Sequence, residues 1–350
     1  MKTRYPLSNL GRGLLRLSEE KSSVRVSGRT FPTEKKEDYK MAEVSAKDAM
    51  KLRQMTGAGV MDCKKALAES DGDMDKAVEY LREKGLAKAA KKADRIAAEG
   101  ICDTNVSADN QVASIVEVNS ETDFVAKNEK FRGYVAAVAA QAAKTNAADI
   151  DAFLAEAWEL DPSKTVKEEL ASQIAIIGEN MNIRRFAKFV AANGFVESYI
   201  HANGRIAILV EFEGACTDAT KVCAKDVAMQ IAAMNPKYVD KTEIPADYIE
   251  HEKEILKAQI MNDPKESQKP EKVIDGMING RINKQLKEIC LVDQVYVKDG
   301  EMTVGKYIES VAKSEGVALA VKRFVRFETG EGIEKKEENF AEEVAKQMGM

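Results

Sequence analysis

Apolar residues recur with a helical period over the first well-patterned part of the chain. One helical run begins after Ser45 and ends at the glycines of 57–59, which favour the end of a helix. A second run ends near Asp73, where a third begins, and the third ends before Gly85. The pattern predicts a compact bundle of three short helices, followed by a charged, solvated helical linker over 88–95.

Beyond this linker the period shortens to that of β-strands. The runs 101–106 and 112–118 are rich in β-branched residues and flank a short polar turn, which predicts a hairpin. Three further strands, predicted to be antiparallel, cover 186–191, 195–201 and 205–212, with Asn-Gly turns between them. The chain therefore changes from an all-helical to an α+β pattern.

Helices separate these strands and follow them. They are predicted from 120 through 138 and over 163–179, 217–234 and 303–314, with a strand over 318–327 and a last helix over 335–348. Strands and helices alternate in both halves, although the sequence shows no tandem repeat.

A helical stretch interrupts the α+β pattern over 246–290. Apolar residues follow one narrow stripe on each of two segments, and a polar link with Pro264 and Pro270 lies between them. This arrangement predicts an inserted antiparallel helical hairpin that projects from the core. Whether the hairpin joins two copies of the protein, as a homodimer or a 2:2 complex with a partner, stays open.

Residues 1–41 differ from the rest in being basic and rich in Ser and Gly, with the first acidic residue at Glu19. Three interpretations compete: an organelle transit peptide, a disordered basic tail, or a translated leader upstream of a start at Met41. We expect the segment to be dispensable.

Composition narrows the class of function. Lys and Arg total 53 against 58 Asp and Glu, a net charge of −5, which argues against broad nucleic-acid binding. No apolar run approaches the length of a membrane span. Five scattered cysteines without a Cys-x-x-Cys pair indicate inert thiols in a reducing cytoplasm.

Signatures of enzymes are missing from the chain. The two histidines, His201 and His251, lie far apart without a nucleophile motif beside either, and no phosphate-binding glycine loop follows a strand. His251 stands among glutamates, as expected of a solvated helix face. We therefore expect no covalent catalysis and no cofactor.

Several motifs, in order along the chain, carry a resemblance to a known family. They are Thr-Gly-Ala-Gly-Val-Met-Asp-Cys-Lys-Lys-Ala-Leu at 56–67, Glu-Thr-Asp-Phe-Val-Ala at 121–126, Ile-Gly-Glu-Asn at 177–180, Ile-Arg-Arg at 183–185, Tyr-Ile-His at 199–201 and Phe-Glu-Thr-Gly-Glu-Gly at 327–332. From about residue 42 to its end, the chain resembles translation elongation factor Ts.

The resemblance implies a modular α+β protein. Its expected parts are an extension (1–41), a ubiquitin-associated-like three-helix module with its linker (42–95), the two parts of an α+β core with antiparallel sheets (96–192 and 193–329, the second carrying the hairpin insertion 246–290), and a C-terminal helical module (330–350).

The resemblance also implies a function and a set of contact residues. The family releases nucleotide from a GTPase partner, elongation factor Tu, so that partner is expected here, in the cytoplasm, without nucleic acid or membrane. The expected contacts are Arg53, Met61 and Lys64 in the module; Thr122, Asp123, Phe124 and Val125; Ile177, Gly178 and His201 in the core; and Val297. Lys298 stands where the family has Met.

The residues alone leave other readings open. Phe124 could cap the core, Asp123 could be a plain helix cap, and His201 could be an ordinary residue at a strand end. A ubiquitin-type or nascent-chain adaptor would explain the three-helix module but not the 121–126 motif. With the motif intact around Asp123 and Phe124, we expect both to wedge near the partner's magnesium site.

Overall fold

The computed structural model describes residues 45–334 and shows helices mixed with antiparallel sheets, which confirms an α+β protein. All of the expected extension (1–41), and the helix expected over 335–348, lie outside the described residues. None of the helices within 45–334 is long and apolar enough to span a bilayer.

The elements follow one another in chain order. The helices are α1 (Ala46–Thr56), α2 (Val60–Glu69), α3 (Met74–Ala90), α4 (Asp123–Ala126), α5 (Glu129–Ala142), α6 (Ile150–Ala155), α7 (Val166–Ile177), α8 (Asp218–Met234), α9 (Ala246–Asn262), α10 (Glu271–Ile289) and α11 (Val304–Glu315). The strands are β1 (Glu99–Val106), β2 (Val112–Ser120), β3 (Ala157–Trp158), β4 (Asp161–Thr165), β5 (Met181–Val190), β6 (Gly194–His201), β7 (Ile206–Gly214), β8 (Val295–Tyr296), β9 (Asp299–Thr303) and β10 (Leu319–Glu328).

Helices α1–α3 begin and end where local chemistry dictates. Ser45 and Asp73 cap helix N-termini through their side chains, and Gly57 ends α1 in the left-handed conformation. The expected stop at Gly85 is wrong, because α3 continues to Ala90. Gly85 is buried inside this helix and faces α7, where a Cβ would make an ordinary contact 3.8 Å from the carbonyl oxygen of Ala171.

The core contains two three-stranded antiparallel sheets, with strand orders β1-β2-β5 and β10-β7-β6. The expectation that β5 joins β6 and β7 in one group is therefore wrong. The Asn193-Gly194 link crosses between the sheets instead, and the side chains of Asn110 and Gln111 hold it by donating to the carbonyls of Val196 and Gly194.

Three apolar clusters fill this core. One lies between the first sheet and its helices and contains Phe131, Val135 and Phe153, while its counterpart in the second half contains Phe195, Phe212 and Ile231. The third lies between the two sheets and includes Ile115, Phe189, Leu209 and Phe327. Both central strands are buried on both faces, and β7 accordingly opens with five consecutive apolar residues.

The two halves are structural repeats that the sequence did not reveal. Each half runs strand, strand, helix, two-stranded ribbon, helix, strand, and the ribbon registers Ala157↔Thr165 and Val295↔Thr303 are equivalent. A glutamine locks each ribbon: Gln141 and Gln230 donate to the carbonyls of Ala157 and Val295, at 2.9 and 3.1 Å. The short ribbons β3–β4 and β8–β9 and the helix α6 are elements the periodicity missed.

Each repeat also buries one glutamate in its central strand. Glu117 on β2 pairs with Arg184 and Arg185, and Glu211 on β7 pairs with Lys322 and Arg323. Each sheet also places one of these arginines against an aromatic ring of the other sheet. The Arg185 guanidinium lies 4.3 Å from the ring centre of Phe327, and that of Arg323 lies 4.1 Å from Phe189. These cation–π contacts join the repeats as a near-symmetric pair.

Some element boundaries differ from the expectation for local reasons. The helix expected from 120 through 138 divides into α4 and α5, because Asn128 starts a new helix by capping it. The helix expected from 163 begins at Val166, where Thr165 and Glu168 form a capping box.

The two helices of the predicted hairpin are present in the structure. These helices, α9 and α10, pack along the expected stripe, with Ile260, Ile274 and Ile278 buried. At the base of the hairpin Ile244, Ile282 and Leu286 form a second small cluster.

Candidate functional site

The 121–126 turn presents its side chains in opposite directions. Thr122 is the N-cap of the four-residue helix α4 and accepts a hydrogen bond from the Val125 amide at 3.4 Å. Val125 is buried in the first core cluster, which anchors the turn. Phe124 points outward and is 79% exposed. It is therefore not a core residue, and the reading in which it caps the core is wrong.

Asp123, beside Phe124, is exposed and negatively charged. Its carboxylate accepts a hydrogen bond from the Lys127 ammonium at 2.6 Å, which lowers the pKa of Asp123. The same ammonium lies 5.9 Å from the ring centre of Phe124. The turn thus offers a charged group and an exposed aromatic ring side by side, with the Lys127 ammonium bonded to the first and near the second.

Ile177 and Gly178 lie at the end of α7, next to this turn. Gly178 has a φ of 92°, a left-handed conformation that ends the helix and leaves the residue exposed. Ile177 is half-buried against the first core cluster. The link to the turn is direct, because Glu179 accepts hydrogen bonds from Thr122.

His201 ends strand β6 and is exposed. Its Nδ1 lies 3.1 Å from the hydroxyl of Tyr199 on the same strand. Arg132 of α5 donates to the carbonyls of Asn203 and Ala126, at 3.0 and 3.4 Å. This guanidinium joins the turn after His201 to the end of α4, so His201 and Phe124 share one support.

Arg53, Met61 and Lys64 lie on α1 and α2, all three exposed, with Met61 at 75%. Met61 and Lys64 are three residues apart and share a helix face. The helices that carry them dock on α7 through α3, where Arg82 forms an ion pair with Glu168. At the α1–α2 turn, a Cβ on Gly57 would lie 3.2 Å from Ile176. One helix, α7, therefore supports both these residues and Ile177.

Val297 lies in the second repeat, away from the residues described so far. It is 48% exposed in the β8–β9 turn, and its amide donates to Gln230 at 2.8 Å. Its neighbours are fixed by a single carboxylate. Asp226 accepts from the Tyr296 hydroxyl at 3.0 Å and the Lys298 ammonium at 2.6 Å.

Lys298 therefore has a structural partner in this chain. Burial raises the pKa of Asp226, but the hydrogen bonds from Lys298, Tyr307 and Tyr296 outweigh it and hold that pKa below its ordinary value. The ion pair turns the Lys298 ammonium toward α8, beside the exposed Val297.

The sequence missed the residues that hold the site together. Glu121 and Glu179 lie inside quoted motifs but gave no signal of their own, and Arg132, Asp226 and Gln230 lie outside them. The amino-acid sequence contains no local pattern that predicts a hydrogen bond from a backbone amide to a carboxylate in a distant loop. Only the hydrogen-bond geometry identifies them.

The cysteines and the other potential metal ligands within 45–334 are scattered or buried. Within 45–334, no group of three or more His, Cys, Asp or Glu side chains could hold a metal ion. Four of the five cysteines are buried, and burial raises the pKa of Cys102 and Cys223 to about 12.

Comparison with known proteins identifies the family. The family model described as Elongation factor TS matches residues 121–331. An elongation factor Ts of Clostridium botulinum (strain Eklund 17B / Type B) is 53% identical over 309 residues, covering 87% of this chain and 99% of that protein. The elongation factor Ts of Clostridioides difficile (strain 630) is 52% identical over 309 residues, covering 88% of this chain and 100% of that protein. The chain belongs to the elongation factor Ts family.

Proposed function

We propose that this protein is a guanine nucleotide exchange factor that binds the GDP form of elongation factor Tu and accelerates the release of GDP. The observation that supports this most is the exposed Phe124 on a turn with a buried anchor. Aromatic residues are enriched at the core of protein–protein interfaces, and the turn presents such a ring on a backbone anchored in the core. Membership of the family makes the translational GTPase the natural partner.

The proposed mechanism is linkage between two binding events. Phe124 and Asp123 enter the partner near its magnesium site and favour a conformation that holds nucleotide weakly. Because the coupling is reciprocal, bound nucleotide must weaken the binding of this protein by the same factor. A several-thousand-fold faster release requires the activation barrier for GDP release to fall by about 5 kcal/mol. GTP, and then aminoacyl-tRNA, would release the factor from its partner.

Different parts of the protein have different tasks in this proposal. Phe124, Asp123, Ile177, Gly178 and His201 form the exchange surface, because Arg132 and Glu179 join their supports. A second group of residues binds the partner outside the exchange surface. They are Arg53, Met61 and Lys64 on the ubiquitin-associated-like helices, and Val297. The protein acts in the cytoplasm, forms no covalent intermediate and needs no cofactor. The magnesium ion and the nucleotide belong to the partner.

The decisive test is GDP release from purified elongation factor Tu. The partner is loaded with fluorescent GDP, mixed with excess unlabelled GDP, and the fluorescence decay is followed with and without this protein. We expect the decay rate to rise with protein concentration and then saturate. An unchanged decay at every concentration would leave the adaptor function, carried by the three N-terminal helices, as the better proposal.

A further inference from the structure

In each of two neighbouring loops, a glutamate carboxylate accepts a hydrogen bond from a backbone amide of the other loop. Glu179, in the 178–180 loop, accepts from the Thr122 amide at 3.0 Å and from the Thr122 hydroxyl at 2.7 Å. In return, Glu121, next to Thr122, accepts from the Asn180 amide. Each loop thus supplies one carboxylate acceptor and donates one backbone amide hydrogen bond to the other loop. We call these four residues, 121, 122, 179 and 180, the carboxylate clasp.

The 121–126 turn needs such support from outside. Helix α4 contains only four residues, too few to be stable alone. Its own cap, from the Val125 amide to the Thr122 hydroxyl, is long at 3.4 Å. Hydrogen bonds to a charged acceptor are about twice as strong as neutral ones. The clasp is therefore the stronger restraint on the backbone that leads into Phe124.

The clasp also connects to the linker after α3. The side-chain amide of Asn180, a buried residue, donates to the Arg95 carbonyl at 2.7 Å. The Arg95 guanidinium reaches Glu121 at 3.4 Å, and the Lys92 ammonium donates to the Gly178 carbonyl. Three chain segments therefore meet at the start of the 121–126 turn, which carries Phe124.

We propose that Glu179 and Glu121 are positioning residues for exchange, which hold the backbone of the 121–126 turn so that Phe124 is presented in one orientation. The inference rests on the proposed exchange function. It assigns the hydroxyl of Thr122 to the clasp, because that group donates inward to Glu179. The clasp therefore controls how well Phe124 acts once the partner is bound, rather than how tightly the partner is held.

Two substitutions at Glu179 and two at Thr122 test this. Glu179→Gln keeps the size but turns an amide N–H toward one of two donors, and Glu179→Ala removes both acceptors. Thr122→Val keeps the shape and loses the hydroxyl, whereas Thr122→Ser retains it. Glu159→Gln, in an exposed ion pair with Lys144 of the same repeat, is the matched control.

The first measurement is GDP release from elongation factor Tu against protein concentration. We expect the rate at saturation to fall at least fivefold in Glu179→Gln, Glu179→Ala and Thr122→Val, with the half-saturating concentration within twofold of the parent. Thr122→Ser should recover most of the saturated rate that Thr122→Val loses, and Glu159→Gln should keep both values. A role in stability alone would instead leave the rate per folded molecule unchanged, and that result would overturn the proposal.

The second measurement observes the ring directly and needs no partner. Fluorinated phenylalanine placed at position 124 should give one sharp ¹⁹F resonance in the parent protein and in Thr122→Ser. In Glu179→Gln it should broaden or divide as the turn samples other orientations. Identical spectra in the parent and in Glu179→Gln would refute the clasp.

The two measurements separate the possible failures. If the parent protein does not accelerate GDP release, the proposed function fails, and the spectra alone decide the clasp. If the parent is active and Phe124→Ala impairs it, but Glu179→Gln matches the parent in rate and spectrum, the function stands and the clasp is wrong.

Discussion

Removal of the Phe124 ring is the sharpest perturbation that the structure offers. The ring is 79% exposed, so Phe124→Ala removes little internal packing. We expect the free energy of unfolding to change by about 0.5 kcal/mol or less, as for other surface positions. Truncation of a buried phenylalanine would cost about 3–5 kcal/mol. A thermal melt separates these two values easily.

The expected loss of exchange follows from the same exposed fraction. Full burial of a phenylalanine side chain is worth about 1.5–3 kcal/mol, so covering the exposed part is worth about 1.2–2.4 kcal/mol. If that burial occurs only as the nucleotide site is distorted, the release rate falls about eight- to sixtyfold, at 1.36 kcal/mol for each factor of ten. Asp123→Ala combined with Phe124→Ala should lower it further.

The assay is the rate of fluorescent GDP release at saturating protein, alongside binding to nucleotide-free elongation factor Tu. Binding should weaken less than the release rate, because Arg53, Met61 and Lys64 still hold the partner. Leu160→Ala is the matched control, since Leu160 is a 74% exposed apolar residue on the β3–β4 turn of the same repeat. A normal rate per folded molecule together with a large drop in the melting midpoint would refute the assignment of Phe124 to the exchange surface.

Three further predictions concern other parts of the protein. Lys64→Ala should raise the half-saturating concentration without changing the saturated release rate, whereas Lys76→Ala, on the exposed first turn of α3, should change neither value. Replacement of 246–290 by a short linker should leave substantial exchange in a folded protein, because Leu291 and Tyr238 bond across the hairpin base at 2.9 Å; a folded deletion without any exchange would contradict this. Asp226→Asn should cost about 2 kcal/mol of stability at neutral pH, as expected for hydrogen bonds to a charged group. Since the pKa of Asp226 is lowered in the folded state, this contribution should be complete above about pH 4 and disappear as the pH falls through the lowered value, so melts of the two proteins should converge in acid.

Local chemistry made much of the fold predictable. Helix caps such as Ser45, Asp73 and Thr303 are side-chain signals that act within one turn, and each lies where the structure starts a helix. The helical hairpin was equally predictable from its apolar stripe, because two helices that pack mainly on each other each need one narrow apolar face. Such features depend on neighbours three or four residues away.

The pairing of strands was not predictable in the same way. Strand β5 reads as the neighbour of β6 because an Asn-Gly turn lies between them, yet it pairs with β2. The buried Glu117 helps to decide this pairing, because Arg184 and Arg185 on β5 neutralise it. A lone buried carboxylate would be very costly, and its partners lie far away in the sequence.

The site residues also divide into those marked by local sequence motifs and those defined by contacts between distant loops. Phe124, Asp123 and His201 were predicted from motifs, and the structure places the first two on one turn and joins the third to it through Arg132. The supports, Glu179 above all, were not predicted as such. Their partners belong to other loops, and sequence spacing carries no information about contacts of that kind.

Comparison of the two repeats shows how the exposed turn arises from the shared scaffold. Thr122 and Thr217 cap equivalent helices, each accepting from the amide three residues on, so Phe124 corresponds to Ala219. In the second repeat the helix α8 continues unbroken from Asp218 to Met234. In the first, the chain breaks after Ala126 and restarts with the cap at Asn128, which leaves α4 as a separate turn. A residue in a continuous helix is oriented by the helix itself, but one on an isolated turn takes its orientation from whatever holds the turn. The break therefore leaves Phe124 on an isolated turn, and the clasp supplies the restraint that a continuous helix would otherwise give.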